Sequence, residues 1–302
     1  MSFVLGINNC FAVKRWPSAD EWAPLIAEEL GLDVVQHSLD LVDFTASDDE
    51  LREHAGSLRT ACSAAGVTVH STFTGLIAYS ANLLLDPDPI ERARAFSWYE
   101  RVIEYTAWCG AGATGGHLGS LSVTDVASAE HALDRWSELA ESLHRLRRVA
   151  HARGLETLLV ENMACAREPS TRAQMASLVR PGNGDRVSMT LCLDIGHQCV
   201  PGTEGDERDP YVWLRELGDR TSVVHLQQTD AESDHHWPFT ERYNALGRIA
   251  PERVLEALGD ARPTLIIEVI PSFEADDDQV LADLRETVDQ WRGALAEATA
   301  IP

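Results

Sequence analysis

Basic residues are scarce in this chain: 25 Lys and Arg stand against 48 Asp and Glu, an excess of 48 − 25 = 23 negative charges over 302 residues. A field of that sign repels phosphate backbones and anionic lipid, which excludes a general nucleic-acid binder and a membrane-surface protein. Long apolar runs are missing too, since none nears the ~18 residues that span a bilayer. The stretch 1–8 has no basic region before it and no small-residue cleavage site after it, so it reads as a first strand and not a leader, and the expected location is cytoplasmic. Cys10, Cys62, Cys109, Cys165, Cys192 and Cys199 form no CxxC pair. That spacing excludes a disulfide framework and a thiolate zinc site, and predicts buried free thiols. No Pro/Gly/Ser-rich linker, sequence repeat or low-complexity segment divides the chain.

What is present is a regular alternation. Eight β-branched or apolar runs, at 3–13, 33–41, 67–74, 112–118, 157–161, 188–194, 222–226 and 264–270, are separated by segments with 3.6-residue apolar spacing. Ser18 before Glu21, Ser47 before Glu50, and Thr124–Asp125 mark helix starts. Gly31, Gly66, Gly110 and Gly154 mark helix ends in the left-handed conformation. Strict βα alternation predicts a parallel sheet, and eight units in one composition regime predict a single (β/α)8 TIM barrel domain over 1–302. The irregular stretches 198–208 and 227–242 follow strands six and seven, on the face where barrel enzymes build their sites. The acidic run 274–278 reads as a solvated loop and a helix N-terminus.

In such a barrel, a polar residue at the end of a strand faces the catalytic mouth. The last four strands end in Glu161, Asp194 (within Asp-Ile-Gly-His197), His225 and Glu268. One carboxylate after an apolar run is commonly a helix cap or a loop charge; four such residues ending four successive strands point to a site. Three crowded carboxylates repel one another unless a cation neutralises them, and an imidazole supplies a further ligand. One divalent ion held by Glu161, Asp194, His225 and Glu268 is therefore expected. The oxygen-rich set favours Mn²⁺, with Mg²⁺ or Co²⁺ as alternatives and zinc or nickel left open on affinity grounds.

This constellation resembles the xylose-isomerase-like sugar isomerase/epimerase barrels along essentially the whole chain. The resemblance implies that the four residues are the metal ligands and that Glu161 and Glu268 are also the acid/base pair that exchanges the C3 proton of a ketose. It further implies that His197 touches a substrate oxygen. Arg167 stands where some relatives place an acidic substrate contact, a departure from the pattern. The segment after strand seven departs as well, reading Gln-Gln-Thr-Asp230, then His235-His236-Trp-Pro-Phe, then Gly247-Arg248. It offers His235, His236, Arg242 and Arg248 as phosphate partners, with Lys14 and Arg15 as further cations after strand one. His37, His70 and His117 end strands two to four, and the last two are read as lining the substrate cleft. Among the aromatics near the mouth, Phe11, Trp16, Trp237 and Phe239 are read as a wall for the sugar, and Phe73 as packing. Loop sequences near both ends resemble epimerases of short ketose phosphates, which implies a tetrulose phosphate as substrate. The expected partner is thus a small sugar or sugar phosphate, with a homo-oligomer as the assembly. Two other outcomes keep the same site: aldose–ketose isomerisation, or elimination from a 3-keto glycoside by the catalytic subunit of a C-glycoside deglycosidase with a small second subunit. A multi-metal phosphodiesterase is opposed by the charge, and a non-enzymatic scaffold by the presence of all four ligands.

Overall fold

The computed structural model describes residues 3–300. Met1 and Ser2, the first residues of the run read as strand and not leader, lie outside the described residues, as do Ile301 and Pro302. Eight parallel strands close into a barrel in sequence order, with β1 pairing β8: β1 (Leu5–Asn8), β2 (Val34–Ser38), β3 (Thr68–Phe73), β4 (Ala113–Gly116), β5 (Thr157–Glu161), β6 (Ser188–Asp194), β7 (Thr221–Leu226) and β8 (Thr264–Ile267). The expected fold is borne out. Around it lie α1 (Ala19–Pro24), α2 (Asp48–Ala65), α3 (Pro89–Cys109), α4 (Val123–Val126), α5 (Ala129–Ala152), α6 (Arg172–Leu178), α7 (Pro210–Leu217), α8 (Glu241–Asn244), α9 (Pro251–Leu258) and α10 (Asp277–Ala300). Among the described residues no helix is long and apolar enough to cross a membrane.

Several strands stop earlier than their apolar runs, and the cause is local. The Asn8 side chain accepts from the Cys10 amide at 2.9 Å and opens a 3₁₀ turn, and Ser38 does the same for the turn that follows β2. Ser18 and Ser47 form capping boxes with Glu21 and Glu50, and the four helix-ending glycines have φ of 62° to 81°. The helix start expected at Thr124–Asp125 is capped two residues earlier, by Ser122, whose hydroxyl accepts from the Asp125 amide. All six cysteines are free; Cys10 and Cys165 are only half-buried, the other four buried.

The core has two parts. Inside the barrel, Phe73, Ala113, Leu159, Cys192, Val223 and Ile266 pack together beneath the mouth. Outside, the other strand faces meet the helices, with Trp22, Tyr105, Trp213 and Trp291 among the fully buried side chains. His37 belongs to this outer layer: it packs against Trp22 and bonds to Asn9 and Tyr105, and burial lowers its pKa to about 3. Strand β4 can approach β5 as it does because Gly115, in register with Leu159, has no side chain, and a Cβ there would run into the Leu159 carbonyl oxygen. Gly115→Ala is therefore expected to cost about 3 kcal/mol of stability, read as a lowered urea midpoint; an unchanged midpoint would show that the two strands do not meet so closely.

Candidate metal centre

Strand ends place the four expected ligands at one level. Glu161 and Asp194 are the last residues of β5 and β6, His225 is the penultimate residue of β7 in register with Asp194, and Glu268 directly follows β8. One ligand atom from each lies within 4.8 Å of the others, and all four side chains are buried. The His225 Nδ1 is the hub: Glu268 Oε2 lies at 2.9 Å, Glu161 Oε1 at 3.1 Å and Asp194 Oδ2 at 4.0 Å.

The partners of His225 decide its tautomer. Its Nε2 lies 2.7 Å from Gln36 Oε1, which also accepts from Asn8 Nδ2 at 3.0 Å, while Gln36 Nε2 donates to Ser71 Oγ at 3.1 Å. An amide oxygen only accepts, so Nε2 carries the hydrogen and Nδ1 turns a ligating nitrogen toward the carboxylates. Burial pushes the His225 pKa down, but Cys192 and Glu268 outweigh it and lift the value well above normal. A divalent ion would replace that proton, so the donor set fits a metal in charge, geometry and tautomer. Burial raises the pKa of Glu161; at Glu268 burial acts the same way, yet His225 and His236 overcome it and hold the carboxyl below its usual range.

Each glutamate is divided between two tasks. Glu161 turns Oε2 to the Tyr79 hydroxyl at 3.3 Å, and Glu268 Oε1 accepts from Asn8 Nδ2 at 2.9 Å. Asp194 is held more fully, its Oδ1 accepting from the Gly196 and His197 amides and from Gln227 Nε2. Asn162 clamps the same strand end by bonding both the amide and the carbonyl of Asp194.

Beside this centre lies a second polar group. His197 donates from Nδ1 to the Asn162 carbonyl at 2.7 Å and directs Nε2 at Asp234, and His236 Nε2 lies 3.1 Å from the same carboxylate. Gln227 Nε2 sits among Asp194, Asp234 and His236 at about 3 Å from each. Burial would raise the Asp234 pKa, but the two histidines hold it well below normal; burial opposes charge on His236 too, and Asp234 lifts it to about 9. His236 has φ of 50°, a strained conformation of the kind that collects at functional sites. The mouth above is a cavity of about 120 Å³, lined in part by Asn8, Asp40, Tyr79, His236, Glu268 and Phe273.

Other expected residues are dispersed. His117, at the end of β4, is buried beneath Tyr79 with its rings stacked at 5.0 Å, and neither ring nitrogen has a hydrogen-bond partner within reach. His70 stands where the β2–β3 register shifts and bonds its neighbour Ser71, away from the cavity lining. A residue inserted in a strand breaks the two-residue alternation, and apolar spacing cannot reveal that. His235 is stacked on Trp237 and paired with Asp230. Arg242 lies exposed over the Tyr243 ring, and Arg248 is exposed with its backbone bonded to Thr229 and Tyr211; neither lines the mouth. Arg167 donates to the Leu121 carbonyl, while its neighbour Glu168 is buried 4.0 Å from His117. Of the aromatics, Phe11 lines the mouth, Trp16 packs against its ring, Phe239 packs on Trp291, and Phe73 meets the His225 ring from below.

Sequence reasoning missed Asn8, Gln36, Tyr79, Asn162, Glu168, Gln227 and Asp234. For Gln36 the signal was there, an amide inside the apolar run Val-Val-Gln; Tyr79 and Asp234 come from loops and carried none.

Gln36→Ala should loosen Mn²⁺ by about tenfold or more while the fold persists, measured by calorimetric titration of chelator-treated protein; unaltered affinity would remove Gln36 from the site. Burial also raises the Glu168 pKa to about 7. The folded state therefore binds more protons than the unfolded one between roughly pH 4.5 and 7, and stability falls as pH rises through that window. In metal-free protein Glu168→Gln should flatten this fall by about 1–3 kcal/mol, seen in urea midpoints taken from pH 5 to 8; parallel curves for both proteins would contradict it.

Comparison with known proteins gives the family and the fold. Residues 24–291 match the family model described as xylose isomerase-like TIM barrel. Over 305 residues the chain is 25% identical to the D-erythrulose 1-phosphate 3-epimerase of Brucella abortus (strain 2308), with 96% of each covered. Among solved structures, a Rhodospirillum rubrum protein provisionally assigned as a xylose isomerase superposes with a TM-score of 0.89 at 32% identity, covering 97% of this chain and 99% of that one. The D-psicose 3-epimerase of Clostridium cellulolyticum H10, solved with D-tagatose, gives 0.71 at 17% identity over 97% of this chain and 99% of its own, a likeness of fold alone. With the barrel closed and most of its length matched, the chain belongs to the xylose isomerase-like TIM barrel family.

Proposed function

We propose that this chain is a divalent-metal-dependent epimerase that inverts C3 of a ketose or ketose phosphate, with a tetrulose phosphate the foremost candidate. The observation that carries the reading is the division of the two glutamates: each turns one oxygen to the His225 Nδ1 hub and leaves the other on a neutral donor, Tyr79 or Asn8. One oxygen of each can serve the ion while the other handles a proton. The full-length relative that acts on erythrulose 1-phosphate supports the choice of a short ketose phosphate.

Glu161, Asp194, His225 and Glu268 would hold the ion, for which the donor set favours Mn²⁺ over Mg²⁺ or Co²⁺. When bound, it supplies positive charge where the ketose oxygens at C2 and C3 become negative. One glutamate takes the C3 proton as the C–H pair forms a C2–C3 double bond and the carbonyl pair moves onto O2; the other glutamate then returns a proton to C3 from the opposite face as the pair on O2 re-forms the carbonyl. His197 and His236, whose charges are sustained by Asp234, can donate to substrate oxygens. His117, with two unpartnered ring nitrogens, and Glu168 can receive a hydroxyl. Tyr79 covers this pocket and keeps water from the outer oxygen of Glu161.

In D₂O the enzyme should carry deuterium into C3 of a ketose. A panel of tetrulose, pentulose and hexulose, each with and without phosphate, identifies the best substrate. Glu161→Gln and Glu268→Gln should each slow conversion on the order of a thousandfold, because an amide cannot accept the proton, with stability retained. Turnover without exchange would indicate isomerisation by hydride transfer, loss of an aglycone from a 3-keto glycoside would indicate elimination, and near-full activity of either variant would end the two-glutamate mechanism.

A further inference from the structure

We propose that Lys14 is the anion anchor at the rim of the mouth, binding the phosphate of a ketose phosphate; the assignment of a ketose phosphate rests on the epimerase reading above. Lys14 is the only lysine of the 302 residues, every other fixed cation being arginine. It lies in the loop between β1 and α1 with φ of 64°, a left-handed conformation that a lysine rarely adopts and that places the side chain where an ordinary turn would not.

What holds it there is a clasp between the loops after β1 and β8. Arg15 donates to the Ser272 carbonyl at 2.6 Å and pairs with Asp277, which fixes the intervening Phe273 against the first loop. The Lys14 ammonium rests over that ring, 3.9 Å from its centroid. Phe273 also lines the mouth cavity, as do Val13, Asp40 and Leu76, and the same four residues line the groove to which Lys14 contributes. The groove is thus continuous with the cavity above Glu268.

Charge makes the position distinctive. In a chain with 23 excess negative charges, no carboxylate of the described residues pairs with Lys14. Of the two acidic residues that line its groove, Asp40 turns its oxygens to the Leu76 and Ile77 amides at 2.6 and 3.1 Å, and Asp43 accepts from the Thr45 amide and hydroxyl. The other cations proposed for a phosphate are engaged or lie off the cavity: Arg15 in the clasp, His235 on Asp230, His236 on Asp234 within the mouth, Arg242 on Tyr243, and Arg248 exposed. An exposed lysine whose ammonium keeps N–H donors without a carboxylate partner at the entrance is suited to a terminal phosphate group, which it meets as a point charge. It also offsets locally the repulsion that the molecule as a whole exerts on an anionic substrate.

Two variants and one unreactive probe test this. Lys14→Asn keeps a residue that tolerates the left-handed backbone and removes the charge, and Lys14→Arg keeps the charge. The ratio of kcat/KM on a phosphorylated ketose to that on its unphosphorylated counterpart should fall about tenfold or more in Lys14→Asn, chiefly through KM, and be largely retained in Lys14→Arg. Binding of glycerol 1-phosphate to the purified full chain, followed calorimetrically, should weaken by a similar factor in Lys14→Asn. A ratio and an affinity that stay at wild-type values, or a loss equal on both substrates, would overturn the anchor and leave the epimerase reading standing. A wild type that epimerises no ketose yet binds the ester through Lys14 would do the reverse.

Discussion

The structure is organised around a repulsion. Glu161, Asp194 and Glu268 are buried around one imidazole nitrogen, at distances where three uncompensated carboxylates could not all remain charged. A proton on His225 relieves part of this, and a divalent cation relieves it more completely. Each neighbouring feature holds the donors ready for such an ion. Gln36 fixes the tautomer of His225, Asn8 bridges Gln36 and Glu268, and Asn162 with Gln227 leaves Asp194 a single orientation.

The barrel makes that concentration of charge affordable. Parallel strands deliver four side chains to one end, while Phe73, Cys192, Val223 and Ile266 fill the space below and exclude water from that side. The second polar group, built on Asp234 with His197 and His236, balances one carboxylate against two imidazoles. The centre therefore contains two kinds of anion: three carboxylates proposed to hold a metal, and one already neutralised by His197 and His236. Beyond them the rim changes character, through the apolar Phe273 and Leu76 and the single lysine.

Much of this was legible in the chain. The eight βα units predicted the closed barrel because strand and helix periodicities differ and several repeats carried their own start or stop residues. All four proposed ligands were readable, since each is a polar residue at or near the end of an apolar run. The same logic misplaced His70, because a register shift beside it broke the alternation on which the reading relied. It also assigned the phosphate-binding role to His235, Arg242 and Arg248 on the strength of their proximity to strand seven in sequence. In the fold, local partners hold His235 on Asp230 and Trp237 and Arg242 on Tyr243, while Arg248 stays exposed away from the mouth lining.

By itself, then, the sequence determined the architecture and the proposed metal ligands, because both follow from short-range periodicity within single strands. Only the tertiary structure decided which loop groups join the centre. Tyr79 reaches Glu161 across 82 residues, Asn8 reaches Glu268 across 260, and Asp234 meets His197 from another strand's loop. Those contacts depend on how separate loops converge over a closed barrel, and no local pattern encodes that convergence. The same holds for the acidic excess with which the composition began. Its sign argues against nucleic acid as a partner, but where carboxylates are paired, with buried histidines within and with arginines outside, appears only when the chain is folded.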